Sequence, residues 1–449
     1  MEMTCRTCGF FLCLEANLIM TSLERRHEGR YQRRKAVRDA RRNERCAEYN
    51  NFHNIMCYRS LYRANKKSMR NVSWKASVQR YQMNLLRNME KTRYSLEHGK
   101  DITKGFVEFD IMERGRLRHI RSIHYSERIV QRSTCDNSLV PILRRSLIYD
   151  NGACLENKGV DQALDRMTAH LQQFYRANGF SNEGYALVFD FSGFFDNILH
   201  SYCFDIYQSA YTNEQILGLL TRFILPFGHP NSVVAYKRVR CENVLDGYTG
   251  KSLGLGSQIS QITAVAYPSA IDHFIKEWMH VRFYGRYMDD GYMLFKTKSE
   301  AKDALRILEK LCSTLSIKLN MRKTQIVKLR NGIRFLKVWL RLTETGKVKH
   351  RMTRKSITRQ RRKLKKFAAM VAAKEMTVQE AANSYASWKG YAIHRGGYMA
   401  TKKMDDQFIT LFGVKAPECN TKKRRKKSWQ RTSQRQMKLQ LRPLQLKTV

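Results

Sequence analysis

The sequence predicts a mixed α/β (α+β) fold, and three observations support it. Residues 185–190 form an apolar run that ends in an acid, which is typical of a strand buried at the centre of a sheet. Residues 281–287 and 291–295 are rich in aromatic and aliphatic side chains, as strands are, and they flank a short polar turn. Long stretches elsewhere have helical spacing, and the 449 residues include only 6 prolines.

The N-terminal region is predicted to be helical and basic. Arginines recur among helix-tolerant residues from Arg25 to Arg42, with no proline between them. An apolar stripe follows at spacings of three or four residues, which predicts one amphipathic surface packed on a core, and it comprises Trp74, Val78, Tyr81, Leu85 and Met89.

Charge is the strongest feature of the composition. The formal net charge is +44 and the isoelectric point is about 10.1. Lysine and arginine occur in every region, so the excess is more than the effect of a tail. Such a balance implies a polyanionic partner, and nucleic acid is the obvious one. Binding through phosphates would be strongly salt dependent and largely independent of base sequence.

Cysteine usage favours a reducing compartment, because the eleven cysteines lack the regular spacing of a disulfide framework. Cys5, Cys8 and Cys13 allow a zinc hypothesis that needs a fourth ligand such as His27. Residues 9–19 are too short, and too interrupted by Glu15, to span a bilayer, so no membrane partner is expected. Residues 1–19 are also open to interpretation as an extension upstream of the native start.

Two adjacent acids, Asp289 and Asp290, are the main candidates for chemistry. They lie between the two strand-like runs, at the expected tip of a hairpin. Asp-Asp next to glycine is also common in ordinary surface turns, where both carboxylates are solvated. Asp190, at the end of the central strand, supplies a third carboxylate, and Asp196 follows it closely. Three carboxylates brought together would force one to be protonated, unless divalent metal ions are bound.

Five segments resemble, in order and spacing, the palm motifs of reverse transcriptases: residues 189–196, 255–261, 287–290, 319–324 and 333–340. Upstream, residues 115–120, 126–131 and 157–160 are similar to the fingers motifs of bacterial members. The resemblance implies a right-hand polymerase with fingers, an antiparallel palm sheet and a helical thumb. It also implies that Asp190, Asp289 and Asp290 hold two Mg²⁺ ions, with Mn²⁺ as a substitute.

The resemblance implies further roles around this site. A basic side chain near the triphosphate corresponds to Arg118, with Arg116 as its neighbour and Arg128 as a second candidate. The alternative is that these arginines pair with local acids such as Glu113 and Glu127. Phe195 matches the bulky residue that excludes a ribose 2′-hydroxyl, or else is a core phenylalanine in an extended segment.

Lys323 matches a lysine that can donate a proton to the departing pyrophosphate, or that only contacts phosphate. Gly256, Ser260 and Gln261 belong to the motif that supports template and incoming nucleotide. Leu255 and Gln261 depart from the common form of that motif, which has glutamine before the glycine and proline after the serine. The departure resembles enzymes of diversity-generating retroelements, and it suggests error-prone copying. Defence-associated bacterial reverse transcriptases also vary here.

The resulting domain prediction has five parts. A basic helical extension covers residues 1–100, fingers 101–184, palm 185–342 with an insertion near 205–250, thumb 343–412, and a basic tail 413–449 that is expected to be disordered until it binds RNA.

The predicted function is RNA-directed DNA synthesis in the bacterial cytoplasm, within a retroelement or a phage-defence system. Expected partners are template RNA, primer and cDNA product, deoxynucleoside triphosphates, and a specific non-coding RNA or accessory protein. The alternatives are an RNA-templated RNA polymerase and a catalytically silent RNA-binding scaffold.

Overall fold

The computed structural model describes residues 2–5, 10–13, 22–113, 116–228 and 248–418. The chain divides into two compact units. The first comprises residues 1–179 and 183–328, and the second comprises residues 180–182 and 329–449. Both combine helices with antiparallel sheet, so the mixed fold predicted from the sequence is confirmed.

The first unit begins with a short antiparallel pair of strands and a group of helices. These elements are β1 Glu2–Cys5, β2 Phe10–Cys13, α1 Ser22–Ala47, α2 His53–Met56, α3 Tyr58–Ser68, α4 Ala76–Met83 and α5 Leu85–Glu97.

The predicted apolar stripe is partly wrong. Val78, Tyr81 and Met89 are buried as expected, but Trp74 precedes α4 and is 72% exposed. The helix also breaks at Asn84, whose φ of −121° and ψ of 40° are not helical. The spacing of apolar residues could not reveal this break, because Asn84 is neither a proline nor a glycine, the residues that usually interrupt a helix.

A β-hairpin and three helices follow. They are β3 Phe106–Glu113, β4 Arg116–Ile123, α6 Tyr125–Thr134, α7 Val140–Ser146 and α8 Val160–Ala177. A π-helical turn, Cys135–Leu139, joins α6 to α7. Tyr125, Ile129 and Val130 on α6 are buried in the main core, so this helix is anchored along its apolar face.

The central sheet of the first unit has five strands. They are β5 Tyr185–Ser192, β6 Tyr284–Tyr287, β7 Asp290–Phe295, β8 Lys318–Leu319 and β9 Gln325–Lys328. The order is β6, β7, β5 and then β8, with β9 also paired to β5, and all pairs are antiparallel. β5 is central and carries adjacent buried residues, such as Ala186 and Leu187, because both of its faces are covered.

Helices connect these strands. They are α9 Phe194–Asn197, α10 His200–Ala210, α11 Glu214–Ile224, α12 Gln258–Ala266, α13 Ser269–His273 and α14 Lys298–Thr314. The segment around Phe195 was expected to be extended, and this expectation is wrong. Gly193 has a φ of +54°, which is favourable for glycine, and the chain turns there into α9. Within the expected insertion, residues 229–247 lie outside the described residues.

The second unit contains a three-stranded antiparallel sheet and a three-helix cluster. Its elements are β10 Ile333–Phe335, β11 Val338–Leu342, β12 Val348–Met352, α15 Arg354–Ala372, α16 Val378–Ile393 and α17 Tyr398–Phe412. Leu364, Tyr385, Met404 and Phe408 form the helical core, in which the rings of Tyr385 and Phe408 stack at 5.2 Å. The expected basic tail falls largely on residues 419–449, outside the described residues.

Candidate active site

A tight hairpin presents the acidic pair. Tyr287 on β6 is paired with Asp290 on β7, so Met288 and Asp289 form a two-residue turn. Met288 has a φ of +55°, as the first central residue of a type II′ turn requires. Such a φ is unfavourable for a non-glycine side chain, so surrounding contacts must hold this turn.

The neighbouring strand brings the third acid to the pair. Asp190 on β5 lies directly opposite Asp290 in the antiparallel register. The backbone N–H of Phe191 donates a 3.1 Å hydrogen bond to the carbonyl of Asp289, which ties the turn to β5. Asp190 is 5% exposed. The structure therefore brings together the three aspartates that the sequence singled out.

The electrostatics of the three acids show mutual repulsion. Burial raises the pKa of Asp290 to about 7, with further contributions from the charges of Asp289 and Asp190. Burial also raises the pKa of Asp289, and the charge of Asp190 adds to the rise. Such a cluster favours either a proton or a cation at neutral pH.

Lys323 supplies a cation to this cluster. Its Nζ donates to both carboxylate oxygens of Asp190, at 2.9 and 2.7 Å. Asn320 adds a second anchor, since its side-chain amide donates to the Asp190 carboxylate at 3.2 Å and its backbone N–H donates to the Asp190 carbonyl at 2.7 Å. Asn320 was not predicted to act at the site, although it lies within the motif of residues 319–324.

The donor set fits hard divalent cations, because three carboxylates on adjacent strands repel one another and their oxygens are the ligands Mg²⁺ prefers. In the conformation described, Lys323 pairs with Asp190. No group of three His, Cys, Asp or Glu side chains within the described ranges is arranged to hold a metal ion. Asp196, the fourth acid nearby, is exposed on α9.

Phe195 lies close to the acidic cluster along the chain and is half-buried. Its ring packs edge-to-face against Phe194 at 5.8 Å, and its carbonyl accepts a hydrogen bond from the N–H of Leu253. Phe194, rather than Phe195, is the buried core residue, at 5% exposure. This leaves part of Phe195 accessible for the predicted contact with the nucleotide sugar.

The basic candidates from the fingers motifs lie on two elements. Arg116 and Arg118 are on β4, where Arg116 is paired with Glu113 and Arg118 with Ile111, but their side chains lie outside the described residues. Arg128, on α6, donates to the hydroxyl of Ser122 at 3.3 Å.

The Nε of Arg128 is buried without a hydrogen-bond partner among the described residues. Glu127 is buried and accepts from Gln131 within α6.

The glycine-containing motif forms the N-terminus of α12. Gly256 is exposed and has a φ of +113°, a conformation suited to glycine. Ser257 caps the helix by accepting from the N–H of Ser260, and its hydroxyl donates to Gln131 at 2.8 Å. Ser260 is fully buried, whereas Gln261 is exposed. Gly256 and Gln261 are therefore accessible to a substrate. Ser260 is not, so its predicted role would have to be indirect, through the residues that cover it.

Gln261 also lines a cavity of about 970 Å³, together with Arg132, Arg144 and Arg145. The acid Asp136 in the same cavity already pairs with Lys67 and Arg132, at 2.7 and 3.0 Å. The cavity therefore joins the motif of residues 255–261 to a basic surface of the preceding helices.

Two other sequence predictions concern a zinc site near the N-terminus and the expected lack of a membrane partner. Of the zinc candidates, Cys8 lies outside the described residues, as do the side chains of Cys5, Cys13 and His27. Among the described residues, none of the helices combines the length and the apolar character of a membrane span.

A palm-type nucleotidyltransferase has such a site, with one aspartate in a central antiparallel strand, one in the turn of the adjacent hairpin and one at the start of that hairpin's second strand. Comparison with protein families agrees: residues 148–340 match the family described as reverse transcriptase (RNA-dependent DNA polymerase). These residues form a reverse transcriptase domain, and the enzymes of that family are RNA-directed DNA polymerases.

Solved structures similar to this chain include two telomerases. The apo telomerase of Candida tropicalis, truncated from its C-terminal domain, is 13% identical, with a TM-score of 0.39 over 59% of this chain and 60% of that one. The telomerase of Candida albicans, in complex with a TWJ fragment of telomeric RNA, is 12% identical, with a TM-score of 0.40 over 64% of this chain and 55% of that one. The match thus spans less than two thirds of either telomerase chain. Among curated proteins, none matches this chain significantly.

Proposed function

We propose that this protein synthesises cDNA by extending a primer 3′-hydroxyl along an RNA template. The observation that carries the proposal is the register that sets Asp190 opposite Asp290, one residue from Asp289, inside the reverse transcriptase domain. These residues would hold two Mg²⁺ ions, or Mn²⁺ in their place, from adjacent strands. Bound there, the ions would supply a lower pKa for the attacking hydroxyl and charge stabilisation for the departing pyrophosphate.

Lys323 has two candidate tasks in this reaction. In the conformation described it neutralises Asp190, so it must release that carboxylate before the acids can serve as ligands. Its side chain is 49% exposed and can turn toward a bound triphosphate. There it would either protonate the departing pyrophosphate or hold a phosphate oxygen by charge alone.

The surrounding residues bind and orient the substrates. Arg118 and Arg128 are proposed to contact the triphosphate. The buried Nε of Arg128 has no hydrogen-bond partner within the described part of the chain, which favours such an anion. Gly256 and Gln261 would support the template and the incoming nucleotide. Positioning of this kind supplies most of the catalysis in phosphoryl transfer.

Primer extension tests the proposal. Purified protein, primed RNA and Mg²⁺ are combined with either deoxyribonucleotides or ribonucleotides. We expect extension with deoxyribonucleotides and none by the Asp289→Asn/Asp290→Asn variant, which should still bind RNA. Asp303→Asn is the matched control, because Asp303 is an exposed acid on α14 of the same unit.

The outcomes separate the alternatives. Extension only with ribonucleotides would establish an RNA polymerase. RNA binding without any extension would establish a scaffold. Extension by the Asp289→Asn/Asp290→Asn variant would refute the site assignment.

We also propose that copying is error-prone, because Leu255 replaces a glutamine that could hydrogen-bond template or nucleotide. Misincorporation no more frequent opposite template adenine than opposite other bases would refute this. A place in a bacterial diversity-generating or phage-defence system, with a dedicated RNA or accessory protein in the cytoplasm, is a further proposal. A template-variable repeat pair, or a non-coding RNA within a defence island, beside the gene would distinguish the two.

A further inference from the structure

A buried arginine lies immediately before the acidic turn. Arg286 is on β6, two residues from Met288, and its side chain has no exposed surface. The side chain of its partner Asp272, on α13, is also fully buried. A buried ion pair of this kind costs desolvation free energy, which must be offset by good geometry.

All three nitrogens of the Arg286 guanidinium donate hydrogen bonds. Its Nε donates to Asp272 at 2.8 and 3.1 Å, and its Nη2 donates to the same carboxylate at 2.6 Å. Nη2 also donates to the carbonyl of Val265 on α12 at 2.8 Å. Nη1 donates to the carbonyl of Met288 at 2.8 Å. One side chain therefore connects two helices to the catalytic turn.

The backbone of Arg286 is held as well. Its N–H donates to the carbonyl of Asp150 at 3.2 Å, and its carbonyl accepts from the N–H of Gly152 at 2.9 Å. The residue therefore cannot shift along β6 without breaking main-chain hydrogen bonds. The guanidinium of Arg286 is therefore a hydrogen-bond donor that is held in place beside the turn.

Met288 is the residue that needs such support. Its φ of +55° is unfavourable for a non-glycine side chain, and its carbonyl belongs to the peptide group that links it to Asp289. A hydrogen bond to that carbonyl restrains the peptide plane and, through it, the direction of the Asp289 carboxylate.

We propose that Arg286, locked by Asp272, is a positioning residue that holds the Met288–Asp289 turn in the conformation required to bind divalent metal ions. This inference rests on the proposed function, since it assumes that Asp289 is a metal ligand. It assigns Arg286 an effect on metal affinity that an ion pair serving only to stabilise the fold would not have.

Arg286→Lys tests the proposal, because lysine keeps the charge but cannot bond Asp272, Val265 and Met288 together. Mn²⁺ binding to the full-length protein is measured by electron paramagnetic resonance, with thermal unfolding measured in parallel. We expect the variant to bind Mn²⁺ about 10- to 100-fold more weakly, as for other supports of metal ligands. Adding Met288→Gly should restore part of the affinity, because glycine adopts the positive φ without support.

Two further variants complete the test. Arg306→Lys is the control, since it alters a different arginine–aspartate pair, with Asp303 on α14 of the same unit, and it should leave Mn²⁺ affinity unchanged. If Arg286→Lys does not fold, Asp272→Asn/Arg286→Gln replaces the pair by neutral amides that are too short to reach Met288. The same loss of affinity is expected from it.

Folded Arg286 variants with wild-type Mn²⁺ affinity would overturn the proposal. So would an equal loss of affinity in Arg306→Lys. Because metal binding is measured without nucleotide, the result does not depend on DNA synthesis. A wild-type protein that binds Mn²⁺ through Asp289 but extends no primer would refute the proposed function alone.

Discussion

Phe195 is where a single side chain is expected to select the sugar of the nucleotide. Its ring is half-buried and it lies five residues after Asp190 in the chain, while Phe194 serves the core. Phe195→Ala should therefore raise the efficiency of ribonucleotide incorporation about 10- to 100-fold relative to deoxyribonucleotides, because steric exclusion by one group is worth about that much. Single-nucleotide extension with matched deoxy- and ribonucleotides measures the ratio.

Phe204→Ala is a suitable control for Phe195→Ala, since Phe204 is a half-buried phenylalanine on α10. An unchanged sugar preference in Phe195→Ala would assign Phe195 to packing alone.

Glu127 is expected to make stability depend on pH. Burial raises the pKa of Glu127 from 4.5 to about 7, so the folded protein favours the neutral carboxyl. Its stabilising contribution is then complete below about pH 4.5 and is lost as the pH rises through about 7. Glu127→Gln should raise the free energy of unfolding by about 2 to 3 kcal/mol at pH 8, and this gain should vanish below pH 4.5.

Chemical denaturation across this pH range measures the effect of Glu127→Gln. The exposed Glu156→Gln change provides the control. A gain in stability that does not vary with pH would contradict the burial argument.

The pairing of β5 with β7 depends on a glycine. Gly291 lies opposite Phe189, and a Cβ at Gly291 would stand 2.2 Å from the Phe189 ring. Gly291→Ala should destabilise the protein by about 1 to 3 kcal/mol, as overpacking of a core does, and should reduce extension by displacing Asp290.

The double variant Gly291→Ala/Phe189→Leu should recover part of the stability, because leucine vacates the position of the ring. Denaturant unfolding of both single variants and the double variant gives the coupling free energy. Purely additive losses would show that the ring is not the cause.

The same strands show why the sequence could reveal candidate acids but not their arrangement. The apolar run before Asp190 and the aromatic runs around Asp289 are local patterns, so strands could be predicted there. The register that sets Asp190 opposite Asp290 depends on pairing between segments 100 residues apart.

Part of the positive charge lies on exposed helix surfaces. In the second unit, Arg361, Arg362 and Lys365 on α15 line a cavity of about 520 Å³ together with Lys403 on α17. Changing these three α15 residues to alanine should weaken RNA binding. It should also reduce the slope of log affinity against log salt by about 2, as the loss of three phosphate contacts requires.

Fluorescence anisotropy with labelled RNA at several salt concentrations measures that slope. Thr358→Ala/Thr410→Ala is the matched control, because it alters the same cavity without changing its charge. An equal change of slope in the control would show that shape, rather than charge, governs the effect.

Residue identity and local pattern were sufficient to predict a mixed fold, a basic partner-binding surface and the three aspartates, because each depends on neighbouring residues in the chain. The contacts that complete the site join distant segments: Lys323 reaches Asp190 across 133 positions. Asn320 on Asp190, Arg286 between Asp272 and Met288, and the burial of Ser260 likewise became visible only in the folded chain. Such contacts depend on strand register and helix packing, which are properties of the assembled core rather than of any segment.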